Sequence, residues 1–329
     1  MRFALKHAAL VAACMAAFPA YATNGSFLPG FGVKSTGAGG VGIAMQGDTL
    51  SQVANPANAT ETGMRIDLGM TLLNPERTSK VGDSTGLVAD NPSANFGFNQ
   101  GDTSGNTLFL MPDMGFTMPL SESVSLGFAV SGVGGGNTTF KTNIFSSTFW
   151  PNTPNGSVDD LGGVDLMQLI APLTLAYKVN PQHSVGASVN MAVQRFKLNG
   201  AGQFATFGGS GISSDRDHLT NMGYDYSYGG GIKLGWLGKF LDDRVVVGAT
   251  WASRTYMTKF DDYRGLFAEQ GDMDYPENYG IGLTVKALSN EDHAEFPVSL
   301  ATGLEGGGAL GFEGKVTVLP TPSASGSVT

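Results

Sequence analysis

The stretch LMQLIAPLTLAYKVNPQHSVGASVNMAVQRFKL, residues 166–198, decides how the rest of the chain is read. Its first arm sets Leu169, Ala171, Leu173, Leu175, Tyr177 and Val179 in one alternating register, against Ile170, Pro172, Thr174, Ala176 and Lys178 in the other. Asn180-Pro181-Gln182-His183 has the composition of a turn. The second arm sets Val185, Ala187, Val189, Met191 and Val193 against Ser184, Gly186, Ser188, Asn190, Ala192 and Gln194. Side chains on a strand alternate between faces, so the pattern is a hairpin with one apolar face and one small or polar face. Each arm reaches the roughly 9–11 residues of a tilted strand that crosses a bilayer. A soluble sandwich uses arms of about 5–6 residues. The spacing therefore predicts a membrane-barrel hairpin.

The same two-residue rhythm recurs outward from this hairpin. Toward the N-terminus, Arg65 to Leu73 sets Ile66, Leu68, Met70 and Leu72 against Arg65, Asp67, Gly69 and Thr71. Leu108 to Pro119 carries Met114, Phe116 and Met118, and Val124, Leu126, Phe128 and Val130 oppose Ser125, Gly127, Ala129 and Ser131. Toward the C-terminus, Met222 to Trp236 carries Tyr224, Tyr226 and Tyr228 ahead of Ile232, Leu234 and Trp236. Val245, Val247, Ala249 and Trp251 then alternate with Val246, Gly248, Thr250 and Ala252, and Tyr279, Ile281, Leu283 and Val285 with Gly280, Gly282, Thr284 and Lys286. This makes eight clear strands. The connections between them alternate long and short, as in an outer-membrane barrel with short periplasmic turns and longer outside loops. The three tyrosines are expected at the outer aromatic girdle and Trp236 at the inner one.

Only 14% of the 329 residues are charged, 41% are hydrophobic, and 48 are Gly. No run of 18 or more apolar residues follows residue 25, which argues against a transmembrane helix. Dilute apolar content suits a barrel, and it suits a Gly-rich extracellular β protein equally. The net charge of −9 excludes the basic footprint that nucleic acid requires. Arg2, Lys6 and His7, the apolar run Ala8 to Phe18 and the small-x-small site Ala20-Tyr21-Ala22 read as a signal peptide over 1–22. A lipoprotein site at Cys14, the one cysteine, is the weaker alternative because the apolar run before it is short. With cleavage after Ala22 the mature chain has no cysteine and no disulfide.

Residues 23–63 are small and Gly-rich, and read as a compact plug of short helices and turns on the periplasmic side. Asn55-Pro56-Ala57 is a tight turn within it. Gly37-Ala38-Gly39-Gly40-Val41-Gly42 matches the letters of a dinucleotide loop, but no strand precedes it and an exported protein is away from nucleotide pools. His183, His218 and His293 have no second His or Cys at metal spacing, and Gly208 to Ile212 fails the nucleophile-elbow pattern at its last position. Neither an enzyme nor a cofactor is expected.

From Thr23 to about Leu288 the chain resembles the FadL-type outer-membrane transporters of long-chain fatty acids and other hydrophobic compounds. The resemblance rests on several features in order. They are the Gly-rich N-terminus ending in Asn55-Pro56-Ala57, the strand opening Met111-Pro112-Asp113-Met114, the strand-plus-glycine run from Pro119 to Phe140, and the hairpin from Asp165 to Leu198. It implies an all-β, membrane-spanning antiparallel barrel of fourteen strands, monomeric, in the outer membrane of a Gram-negative bacterium, with residues 23–63 as a hatch. It also implies capture of a hydrophobic small molecule by the outer loops and sideways exit into outer-membrane lipid at an inward kink of the third strand. After Leu288 the alternation decays, and 289–329 read as an atypical tail. A truncated or frame-shifted member is the expectation, because an open sheet edge leaves backbone groups unpaired in lipid. A surface adhesin or receptor barrel is the alternative function.

Site candidates follow from what a greasy ligand needs. Phe140, Phe145, Phe149 and Trp150 in the second long loop either capture ligand or pack that loop. Gly132, Gly134, Gly135 and Gly136 end the third strand, where glycine marks a bulge or bend; family position makes them the kink. Arg65, Lys233 and Arg254 fall in the inward register and could meet a carboxylate, or pair with lumen carboxylates such as Asp67 and Asp225. In the family, Asn55, Pro56 and Ala57 belong to the hatch near the ligand site.

Overall fold

The computed structural model describes residues 27–28, 30–73, 77–81, 100–141, 161–202, 213, 215–267, 269–288 and 293–303. The signal peptide, Cys14 and the end of the tail lie outside the described residues. Nine strands form one antiparallel path: β1 (Arg65–Leu73), β4 (Phe109–Pro119), β5 (Val124–Asn137), β6 (Gly163–Lys178), β7 (His183–Asn199), β8 (Asp225–Phe240), β9 (Val245–Ala252), β11 (Asn278–Leu288) and β12 (His293–Gly303). The two-residue β10 (Tyr256–Met257) pairs with β8. Between β1 and β4, a separate hairpin of β2 (Thr78–Val81) and β3 (Gln100–Thr103) breaks up what reads in sequence as one polar loop. Among the described residues no ladder joins β1 to β12.

The organising hairpin is continuous: every residue of β6 from Gly163 to Lys178 has a partner in β7. Short connections at residues 120–123, 179–182 and 241–244 gather at one end, and the long ones at the other.

Burial follows the alternation but inverts the soluble pattern. On β1, Ile66, Leu68, Met70 and Leu72 are exposed, Leu68 at 77%. Leu173, Leu175, Val189, Met191, Ile232, Leu234, Ile281 and Leu283 stand out on their own strands in the same way. The residues between them, including Thr117, Ser131, Thr174, Ser188, Asn190, Gln194, Ser227 and Thr284, are buried. Polar side chains go inside only where partners await them, and an outward apolar band with a polar interior is the wall of a membrane barrel. At the short-turn end, His183 stacks on Trp236 with ring centroids 5.8 Å apart and meets Phe240 edge-on at 5.7 Å.

Two sequence expectations change. The plug does not hang in the periplasm: it lies within the curve of the sheet and bonds to its inner face. The stretch after Leu288 contains one more strand, β12, which pairs with the whole of β11. Its Phe296, Val298 and Leu300 do alternate, but Pro297 in their midst lowers the strand signal.

Candidate functional site

The hatch consists of α1 (Gly32–Gly37), α2 (Ser51–Ala54) and a 3-10 turn over Pro56–Glu61. Its elements are too short to stand alone, and it is held by the wall. Gln52 Nε2 donates to Thr49 O at 2.7 Å within the hatch and to the strand carbonyls of Phe116 (3.2 Å) and Phe128 (3.3 Å). Asn55 Nδ2 donates to Ile43 O at 2.8 Å and to Trp236 O at 3.0 Å, while its Oδ1 accepts from Ala57 N. Thr49 N donates to Asp67, Thr284 to Ala44 O, and Thr62 to Thr117. Glu61 ion-pairs with Lys239, and Lys178 lies 3.8 Å away. Asp48 caps the first turn of α2 by accepting from Ser51 N at 2.9 Å; burial pushes its carboxyl above the ordinary range.

Close approach of hatch and wall requires glycine. A Cβ on Gly127 would stand 2.0 Å from Gln52 Oε1, and one on Gly235 would stand 2.0 Å from Asn55 Oδ1. Gly115, Gly186, Gly248 and Gly282 leave the same room for Thr49, Pro56 and Ile43. Six strands thus present glycine to the hatch.

Above the hatch the wall changes. The β4–β5 ladder runs only from Pro119↔Ser125 to Met114↔Val130. Beyond it, β4 continues to pair with β1 and β5 with β6, so 109–113 and 131–137 share no rungs. Ser131 Oγ donates to Asp113 Oδ1 at 2.5 Å where the strands part. Farther out, Asn106 Nδ2 rejoins the two sides by donating to Asn137 Oδ1 (2.7 Å) and Thr139 Oγ1 (2.8 Å). A gap in the ladder is thereby framed below and above. On the other side of β5, the β6 register slips between Gly132 and Gly134, leaving Val133 as a bulged extra residue turned inward. Gly135 sits at φ 148°, and a Cβ there would meet Leu166 O at 2.3 Å.

Val133 joins Ala192, Met257 and Tyr275 in a buried apolar cluster, with Phe27, Phe31 and Ile170 packed on it. The hatch segment reaches the bulge directly: Leu28 N donates to Val133 O at 2.7 Å, and Phe27 meets Tyr275 edge-on at 5.5 Å. Tyr275 and Met257 come from a loop that folds over the barrel mouth after β9. Thr255 and Tyr275 bridge, and Gln194 on β7 donates to Met273 O at 3.0 Å. Burial pushes the Tyr275 hydroxyl up to about 12. Farther out, Phe196, Phe260 and Tyr263 form a second cluster with Phe267. The arrangement is a packed apolar cluster between an outer loop cap and a polar hatch, with the framed gap in the wall beside it.

The comparisons with known proteins agree with this geometry. The family model described as outer membrane protein transport protein (OMPP1/FadL/TodX) matches residues 20–301. The chain belongs to this family. It is therefore an outer-membrane β-barrel of a transport family, not of an enzyme family. A Pseudomonas aeruginosa FadL homologue is 14% identical with a TM-score of 0.56, over 90% of this chain and 73% of that one. The Pseudomonas putida toluene transporter TodX is 16% identical with a TM-score of 0.55, over 91% and 78%. A TodX monoaromatic hydrocarbon channel mutant, deltaS2S3, is 17% identical with a TM-score of 0.58, over 89% and 76%. No protein of curated function matches the sequence.

Within this FadL/TodX-family barrel the candidate residues separate clearly. Asn55, Pro56 and Ala57 are wholly buried and anchor the hatch. Gly132, Gly134, Gly135 and Gly136 flank the bulge. Lys233 is in the lumen: its Nζ donates to Val53 O at 2.7 Å and lies 5.7 Å from the Phe31 ring centroid, with no carboxylate in ion-pair range among the described residues. Arg65 pairs with Asp67 at 2.6 Å. Arg254 departs from its expected inward position. The chain leaves the sheet after Ala252, and Arg254 is half-exposed with its Nε 2.7 Å from Asp274. Phe140 extends the β5–β6 ladder by bridging Gly162, whereas Phe145, Phe149 and Trp150 lie outside the described residues. Gly37 to Gly42 form a tight turn of the hatch, with Gly39 and Gly40 at positive φ. Sequence reasoning missed Phe27, Met257 and Tyr275, which carry no periodic signal.

Proposed function

We propose that this chain conducts long-chain fatty acids or similarly hydrophobic small molecules across the outer membrane without coupling to an energy source. The outer loop aromatics Phe140, Phe145, Phe149 and Trp150 collect the ligand. It then opens a chamber by parting the packed cluster of Val133, Ala192, Met257 and Tyr275, and leaves sideways between β4 and β5 into the bilayer. The observation that carries this reading is the framed loss of β4–β5 rungs, beside a bulge whose Val133 faces the apolar cluster. A wall that only had to seal would keep those rungs, because unpaired backbone groups are costly in lipid. The polar hatch beneath blocks a straight route to the periplasm, so an apolar molecule has one low-cost direction, into hydrocarbon. Lys233 supplies the charge that an acid headgroup would meet at the chamber floor. Its structural relatives include a toluene transporter and a monoaromatic hydrocarbon channel, which supports the same class of apolar cargo.

Deleting Val133 would remove the extra residue and restore one register across β5 and β6. Uptake of radiolabelled oleate and toluene by cells making this variant is expected to fall to the level of cells lacking the gene. The variant should still be folded, as judged by heat-modifiable gel migration. Wild-type uptake by a folded variant would refute the lateral route.

A further inference from the structure

The outward face of the sheet is apolar for most of its height and changes character at the outer rim of β6, β7 and β8. On β7, Arg195 and Lys197 follow Val185, Val189, Met191 and Val193 in the outward register, while Phe196 between them is buried under the loop cap. From residue 185 to residue 195 the strand climbs, at about 3.3 Å per residue and a tilt of about 40°, roughly 25 Å along the membrane normal. That is the height of a barrel's apolar band. The two cations therefore stand at the headgroup level of the outer leaflet, beside the exposed Tyr224, Tyr226 and Tyr228.

The cluster is ordered but not neutralised. Arg195 Nη2 lies 3.0 and 3.1 Å from the two oxygens of Asp165, and its guanidinium carbon is 4.6 Å from the Tyr224 ring centroid. The Tyr224 hydroxyl donates to Asp165 at 3.0 Å, which fixes the ring beneath the guanidinium. Arg195 Nε–H, buried against the wall, has no acceptor among the described residues, so the headgroup-facing donors are those of the guanidinium's outer edge and of Lys197. Lys197 Nζ lies 5.2 Å from the same ring and ion-pairs with no carboxylate among them. One carboxylate thus faces two cations, and the Lys197 ammonium keeps its donors, on the outward face of the wall. Acyl chains cannot accept these hydrogen bonds; a phosphate can accept several at once.

The geometry points to Arg195, Lys197 and Tyr224 as a docking site for the phosphate of a phosphorylated glycolipid of the outer leaflet. Its acyl chains run down the outward side chains of Val193, Met191 and Tyr228. The site is independent of the transport path, since it lies on the opposite face of the wall. It ties a specific lipid to the hairpin that frames the barrel.

Native mass spectrometry of the full chain in detergent tests this with bisphosphorylated lipid A, its dephosphorylated counterpart and inorganic phosphate as probes. Wild type is expected to retain the bisphosphorylated lipid. The Arg195→Gln/Lys197→Gln double variant should bind it about thirtyfold more weakly. Arg244→Gln, a charge removed from the exposed turn at the other end of the barrel, should bind it as wild type does. If the double variant fails to fold, Lys197→Gln alone, which loses no internal hydrogen bond, should weaken binding about fivefold. Equal retention by the variants would overturn the site. So would equal binding of the dephosphorylated lipid, or inorganic phosphate bound as tightly as the lipid.

Discussion

In the periplasmic half of the barrel, the strands turn glycines and polar side chains toward the hatch, and the ladder of β4 with β5 is intact. In the outer half the same strands bear a packed apolar cluster, β4 and β5 share no rungs, and the interior is closed by a loop bearing Met257, Tyr275, Phe260 and Tyr263. The lower half is joined by hydrogen bonds with fixed directions. The upper half has hydrogen bonds holding its loop, Gln194 to Met273 O among them, and in addition an apolar cluster whose packing is non-directional and can rearrange around a guest. The hatch seat and the proposed passage thus belong to one set of strands that changes what it presents inward. Variants that exchange these properties should break the contrast in a graded way.

The largest effect is expected at the glycine floor. Gly235→Leu drives its first carbon into Asn55, a buried group that has no space to retreat. Overpacking of that kind costs upward of about 3 kcal/mol here. The variant should either fail to reach the heat-resistant folded form or fold with the hatch displaced, in which case planar bilayers should show conductance that wild type lacks. A folded, non-conducting Gly235→Leu barrel would mean that the hatch is not seated on glycine.

Asn55→Ala is the next step down. It leaves the carbonyls of Ile43 and Trp236 without their donor in a buried place, a loss of about 3 kcal/mol. Thermal unfolding should move lower, with hydrogen exchange rising in the hatch before the strands. In the outer half, Ser131→Ala removes the hydrogen bond to Asp113 at the foot of the gap. A bond to a charged acceptor is worth about 2 kcal/mol. Exchange should then rise at the Met114↔Val130 end of the ladder while the hatch amides stay protected. If Ser131→Ala loosened the hatch as much as Asn55→Ala does, the two halves would be one mechanical unit and the contrast would fail.

The two halves were also unequally legible. The outward face could be read directly, because a period of two is what a strand imposes and lipid rewards on every second residue. The hairpin from Leu166 to Leu198, the tyrosines of β8 and Trp236 at the other rim follow from it. The hatch contacts could not be read, because Gln52 and Asn55 are ordinary turn residues until the strand carbonyls that they reach are known. Even so, Gly115, Gly127, Gly186, Gly235, Gly248 and Gly282 all fall in the inward register of their strands, and that recurrence was a visible signal of close approach. Arg254 was misplaced because register was carried past Ala252, where the chain abandons the sheet. β12 was lost to Pro297. The cluster residues Phe27, Met257 and Tyr275 come from non-periodic segments, so only the fold could bring them together.

The smallest effect, and the sharpest test of the loop cap, concerns Asp215. Its carboxylate lies 2.9 Å from His218 Nδ1 and 2.6 Å from Arg264 Nε, linking two parts of the outer surface, while Ser213 Oγ donates to Gly265 O at 2.6 Å. The hydrogen bonds from His218, then from Arg264, hold the Asp215 carboxyl below the ordinary aspartate range. A carboxyl lowered in the folded state stabilises at every pH above its unfolded value, near about 4, and that contribution fades as pH falls through the lower folded value. Limited proteolysis near residues 215–218 and 261–265 should therefore accelerate as pH falls below about 4. Asp215→Asn should be cleaved faster at neutral pH and lose the acid step. The hatch, with its own bonds far below the mouth, should keep its protection throughout. Acid release of the hatch together with the loop would show that the cap and the seal are coupled.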